Sequence, residues 1–187
     1  NETIGSLVGG GSAGGTVQLG SGILTVGADN TDSTFAGVIA GSGQLNVVGD
    51  GVFTLTGANT YTGGTTVSFG TLEGSTSSIQ GDIVNNATLV FRQSGGGAYS
   101  GVVTGSGDLL KEGSGAVTLS GSIDLSGNTG VGINRGAIAL GANNVISSST
   151  NLFVGDGARM DLGGYSVRVN ELSFDNGILA FGDSGGS

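Results

Sequence analysis

The chain has 187 residues, 42 of them glycine, with 14 carboxylates against five lysines and arginines, a net charge of −9, and no cysteine, histidine or proline. Without thiols or imidazoles there are no disulfides, no thiolate or imidazole metal ligands, and no histidine base to activate a serine. Without a basic stripe to neutralise phosphates, nucleic acid and anionic membrane surfaces are both disfavoured as partners.

Apolar residues make up 36% of the chain and recur in short runs separated by Gly, Asn, Asp and Ser. Val, Ile, Phe and Thr suit a pleated, half-buried surface, and the intervening residues suit tight turns. This predicts an ordered all-β protein of many short strands. No apolar stretch approaches the ~18 residues of a membrane-spanning helix. The chain starts at Asn1, with no initiator Met and no apolar leader; the expectation is a processed or excised segment.

In chain order, Ile4-Gly5-Ser6-Leu7 is followed by the glycine-rich residues 9–15, read as an excursion between strands. That stretch lacks the Lys-Ser/Thr ending of a phosphate-binding loop. Ile23-Leu24-Thr25-Val26 is a predicted strand, and Asp29-Asn30-Thr31-Asp32 after it gathers side-chain oxygens that suit Asx turns, or a weak Ca²⁺. The block from Gly37 to Gly57 then returns as Gly101 to Gly121, with 11 of 21 positions identical at an offset of 64 residues. Such self-similarity marks a stack of supersecondary units. Within the block, Phe53 and Leu55 share one face and Thr54 and Thr56 the other; Val117 and Leu119 repeat the facing against Thr118 and Ser120.

Two stacked architectures meet this pattern: a row of antiparallel hairpins, or a coil in which each turn lies parallel on the last. Asp50-Gly51, Asp156-Gly157 and Asn176-Gly177 could close hairpins, but their flanking strands are short and unequal, which favours the coil. Dividing 64 residues into three turns of about 21 predicts three short strands per turn and about nine turns, a rod roughly 40 Å long.

The run Leu55-Thr56-Gly57-Ala58-Asn59-Thr60-Tyr61-Thr62-Gly63-Gly64-Thr65-Thr66-Val67, closing in Gly70-Thr71-Leu72, resembles the passenger-associated repeat of bacterial autotransporters. The second copy departs from it: Ser126-Gly127-Asn128-Thr129-Gly130 replaces the Tyr-Thr-Gly-Gly-Thr stretch, and two residues are inserted before Ile133. Residues 155–164 also resemble passenger phrases of this family. The resemblance implies one right-handed parallel β-helix segment over residues 1–187, with repeat-like blocks near 35–74 and 99–141. It also implies an outer-membrane barrel elsewhere in the full-length protein, and an extracellular or cell-surface location.

Candidate chemistry is sparse. Gly182-Asp183-Ser184-Gly185-Gly186 matches the surroundings of a serine-protease nucleophile, but the missing imidazole makes it a turn or linker. Asp108 with Glu112, or Asp156 with Asp161, would need to lie about 5–10 Å apart on one face to cleave glycosides; solvated turn positions are the plainer reading. Tyr61, Tyr99 and Tyr165 border apolar runs and are read as partly buried, and the threonines of residues 60–66 as an outward cluster. No catalytic, cofactor-binding or metal-binding residue is assigned and no cofactor is expected. The functional expectation is a non-enzymatic, elongated scaffold for adhesion or self-association, its partners a host cell-surface protein or glycan, or another copy of itself. The alternative is a secreted effector or toxin presenting receptor-binding loops at residues 9–15 or 146–151.

Overall fold

The computed structural model describes residues 1–11 and 14–182, in which the apolar runs form 23 short strands and no helix. Every pairing between strands is parallel. The chain winds through about nine turns, and the strands of successive turns line up into three walls.

The first wall stacks Glu2–Ile4, Ile23–Val26, Gln44–Val47, Thr65–Val67, Ile83–Asn85, Val103–Gly105 and Ile123–Leu125. The second holds eight strands, from Ser33–Phe35 and Val52–Leu55 through Thr71–Gly74, Thr88–Arg92, Asp108–Glu112, Val131–Ile133 and Leu152–Val154 to Leu172–Phe174. The third is split into Thr16–Gln18, Val38–Gly41 and Thr60–Tyr61 below, and Gly97–Tyr99, Ala116–Leu119, Ala137–Leu140, Arg159–Asp161 and Ile178–Ala180 above.

Because side chains alternate across a pleat, alternate residues of each strand point into the lumen. Leu45, Thr65, Ile83, Val103 and Ile123 form one inner column, and Phe53, Leu72, Leu89, Leu109, Val131 and Leu152 another. All are buried. The expected facing of the repeat holds: Phe53, Leu55, Val117 and Leu119 are buried, while Thr56 and Ser120 are exposed. Burying each large apolar side chain contributes about 1.5–3 kcal/mol, and each turn touches only its neighbours, so stability accrues turn by turn.

The split in the third wall has a local cause. Residues 75–80 replace a strand, and Ser78 and Ile79 fill the lumen there. Tyr61 lies on one side of this seam, its hydroxyl 2.8 Å from Thr65 Oγ1 and accepting from Gln80 N at 3.3 Å. On the other side the Tyr99 hydroxyl donates to the carbonyl of Gly81, and its ring lies 5.0 Å from that of Phe91.

The sequence repeat does not coincide with three turns. Three turns above Leu45 stands Val103, 58 residues on, whereas the repeat partner of Leu45 is Leu109. Each repeated strand therefore lands one wall further round. Gln44–Val47 lies in the first wall and its copy Asp108–Glu112 in the second; Val52–Leu55 lies in the second and its copy Ala116–Leu119 in the third. The expectation of three 21-residue turns per repeat is thus corrected. What recurs is a corner, strand to Gly-x-Gly to strand, and a three-walled coil offers three places to use it.

Candidate functional site

The carboxylates marked by the sequence are spread over corners and strands, and each is engaged with its own neighbours. Asp29 Oδ1 accepts from Thr31 N and Oγ1 at 3.1 and 2.8 Å, closing an Asx turn. These bonds favour the charged form and hold the Asp29 carboxyl below its ordinary range. Asn30 Oδ1 accepts from Asp50 N, and Asp32 Oδ1 accepts from Val52 N at 2.8 Å. The oxygens of residues 29–32 thus serve three different backbone amides, Thr31 in their own loop and Asp50 and Val52 on the next turn, instead of converging on one point.

Asp108 and Glu112 lie four residues apart on one strand, a separation of roughly 13 Å at the rise of a β-strand, beyond the reach of a glycosidase pair. Asp108 Oδ1 caps Thr129 N and Gly130 N on the next turn at 2.9 and 2.8 Å, and Glu112 Oε1 accepts from Asn134 Nδ2 at 2.8 Å. Asp156 Oδ1 accepts from Asn176 Nδ2, while Asp161 accepts from Gly163 N and pairs with Arg159 at 2.8 Å. Asp82 Oδ1 likewise accepts from Val102 N. Asp32 and Asp82 are exposed at turn positions, as read, but with Asp108 they also staple one turn to the next, because each turn exposes backbone amides at its corners that the wall ladders leave unpaired.

Of the tyrosines, Tyr61 and Tyr99 are buried in the core more fully than the partial burial expected, and Tyr165 is 40% exposed, so they form no common outer strip. The threonines of residues 60–66 do not share a face: Thr60 and Thr62 are exposed, Thr65 is buried in the lumen against Tyr61, and Thr66 lies outward. Residues 146–151 are tied down, with Ser149 Oγ donating to Asp124 at 2.6 Å and Thr150 Oγ1 accepting from Leu125 N at 2.9 Å. Among residues 9–15, Gly9 N donates to Thr34 O and Gly14 N to Gly11 O. The protease-like stretch from Gly182 runs into residues 183–186, outside the described residues.

Lys111 is the residue that sequence reading missed. It is fully buried in an inner column between Phe91 and Ile133. Its Nζ donates to the carbonyls of Glu112, Gly113 and Arg135 at 2.6, 2.9 and 3.4 Å. Burial pushes its amine below the ordinary lysine value, with Glu112 partly opposing the shift. A signal was available, since period two places Lys111 on the same face as Leu109.

The outer walls carry shallow grooves. One of about 410 Å³ lies on the first wall around Thr66, Val84, Val102 and Thr104. Another of about 480 Å³ lies on the second wall, with Leu110 and Phe153 in its floor and Asn128, Asn134 and Asn151 along its rim. Among the described residues, no three His, Cys, Asp or Glu side chains gather to hold a metal ion, and no helix is long and apolar enough to cross a membrane.

Residues 45–73 match the passenger-associated-transport-repeat family. The adhesin BmaC autotransporter of Brucella suis biovar 1 (strain 1330) is 40% identical over 210 aligned positions, which take in 92% of this chain and 6% of the adhesin. The chain therefore spans a small fraction of that relative's length. No solved structure matches it.

Proposed function

Since this chain is an autotransporter passenger segment, surface-displayed or secreted, we propose that it acts as an elongated adhesive scaffold that binds without catalysing a reaction. Its partners are a host cell-surface protein or glycan, or the same rod on a neighbouring cell. The observation that carries this reading is the 40% identity to a protein named an adhesin over nearly the whole chain. Two structural features support it. The walls offer long flanks on which weak contacts add through multivalency, and the marked carboxylates are engaged in stapling turns together. The effector alternative draws less support, because residues 146–151 are fastened to the rod.

The test is display of the segment on a non-adherent, non-aggregating bacterial host, scored for settling of the culture and for adherence to epithelial cells. Gain of either supports the scaffold reading. Normal display with neither gained removes it, and a host-cell response without adherence would favour the effector.

A further inference from the structure

We propose that the groove on the second wall binds a neutral saccharide of one or two rings. This rests on the adhesive reading and names a ligand class for it. The outward column of this wall runs Val90, Leu110, Gly132, Phe153, Ser173. Leu110 and Phe153 are half-buried on the outer side of the wall, Val90 is covered there, and Gly132 stands between the two accessible side chains. At Gly132 the neighbours close over the backbone: a Cβ there would stand 2.9 Å from Leu110 Cδ2 and 3.1 Å from Thr129 Cγ2, so the glycine lets Leu110 and Thr129 lie together between the floor and the rim.

The rim is built from the stretch where the second repeat departs from the first, Asn128 and Thr129, together with Asn134 and Asn151. Bonds between turns hold these amides in place: Asn134 Nδ2 donates to Glu112 at 2.8 Å, Asn151 Nδ2 to Asn128 O at 3.1 Å, and Asn170 Nδ2 to Asn151 Oδ1 at 2.8 Å. A primary amide carries two N–H donors and two acceptor lone pairs, so each held amide keeps capacity for a ligand hydroxyl. An apolar floor with a few fixed polar groups suits the C–H face and hydroxyls of a pyranose, and about 480 Å³ falls within the range of small-ligand sites.

Charge selects the class. Glu171 is the one charged side chain that lines the groove among the described residues, and the chain carries −9 overall, so an anionic glycan is repelled. Addition of a peptide strand is disfavoured, because the backbone groups of this wall are spent on the strands above and below.

The experiment titrates the ¹⁵N-labelled segment with lactose, cellobiose, maltose and N,N′-diacetylchitobiose, and with sialyllactose as the anionic comparison, following amide shifts by NMR. The expected result is saturable shifts at Leu110, Thr129, Gly132, Phe153 and Ser173 with at least one neutral sugar. Phe153→Ala should weaken binding at least tenfold with an unchanged melting temperature, and Phe69→Ala, at an exposed corner away from the groove, should leave it unchanged. No shift with any neutral sugar at millimolar concentration, shifts located elsewhere, or equal binding of sialyllactose overturns the proposal. Adherence and settling of displayed cells are measured in parallel. Adherence or settling without sugar binding removes the groove and keeps the scaffold reading; sugar binding with neither removes the scaffold reading alone.

Discussion

Gly49 and Gly113 hold the same place in the sequence repeat, adopt φ of 77° and 76°, and stand on different corners of the coil. The first joins the first wall to the second, and the second joins the second wall to the third. Equal backbone conformation at unequal places makes the corner the inherited unit. A duplicated corner could slip by one wall and still fit, because each wall presents the next with the same parallel edge and the same lumen. Both glycines stand where a Cβ would meet the backbone of the turn below, Gly27 in one case and Gln93 in the other.

This equivalence is testable. Gly49→Ala and Gly113→Ala should each destabilise the segment by at least about 1–2 kcal/mol, the cost of a left-handed conformation for an L-residue, with contact against the lower turn adding to it. The two losses should agree within the error of chemical denaturation and should add in the double variant, since the sites are far apart. A large loss at one and none at the other would separate the two corners.

The inward facing has its own test. Leu119 is buried in a column with Tyr99 and Leu140, while Thr118 points outward between Ala98 and Ala139. Leu119→Asp buries an unpaired carboxylate and should lower stability by several kcal/mol or prevent folding. Thr118→Asp should stay within about 0.5 kcal/mol of the parent, as surface changes do. Thermal melts followed by far-UV circular dichroism distinguish the two, and equal melting temperatures would reverse the assigned faces.

How much of this was readable beforehand depends on range. The facing of Phe53, Leu55, Val117 and Leu119 was legible because pleat alternation is written within four residues. The number of turns was legible because a circuit of three short strands and three corners takes about twenty residues, whatever the phase of the repeat. The phase of the repeat was not, because a corner sequence carries no mark of which corner it makes. The groove was equally hidden: Leu110, Gly132 and Phe153 are separated by about twenty residues each, and only the register of the wall brings them into one column. Lys111 was legible in principle from its alternation with Leu109, but a cation in an apolar column runs against ordinary burial statistics.

At low pH two outward carboxylates on the walls, Asp124 and Asp161, should set the limit. Hydrogen bonds from Ser149 and Ser147 hold Asp124 below the ordinary carboxylate value, and Gly163 N and Arg159 do the same for Asp161. A carboxyl depressed in the folded state contributes stability that is present above its unfolded value of about 3.9 and lost as pH falls through the lower folded value. Melting temperature should therefore be flat from neutral pH to about 5 and fall below about 4. Asp124→Asn should have a shallower acid limb, and an unchanged limb would take Asp124 out of the account.

At high pH the tyrosines act with the opposite sense. Burial raises Tyr61, and burial with the neighbouring Tyr61 and Asp82 raises Tyr99. The folded state keeps these protons where the unfolded chain releases them, so stability should fall as pH rises above the ordinary tyrosine value of about 10. Tyr99→Phe should blunt that fall while leaving stability at pH 7 within about 0.5–1.5 kcal/mol of the parent, the net worth of one hydrogen bond.

Lys111 should be visible in the window just below. Its amine is depressed by burial in the folded state, so between that value and the unfolded value of about 10.4 the unfolded chain binds the extra proton. Stability from this group therefore rises as pH increases through the window, and is lowest where the amine must stay charged inside the lumen. Lys111→Met keeps the volume of the side chain but leaves the carbonyls of Glu112, Gly113 and Arg135 without this donor. At neutral pH it should cost about 1–3 kcal/mol, the penalty of acceptors left unpaired. As pH rises toward the unfolded value, the parent should gain on the methionine variant as its amine loses the charge, and urea denaturation of both proteins from neutral to alkaline pH reads the difference directly. A constant gap would mean that Lys111 titrates alike in the folded and unfolded chain, and that its three carbonyl bonds fully offset the cost of burying the charge.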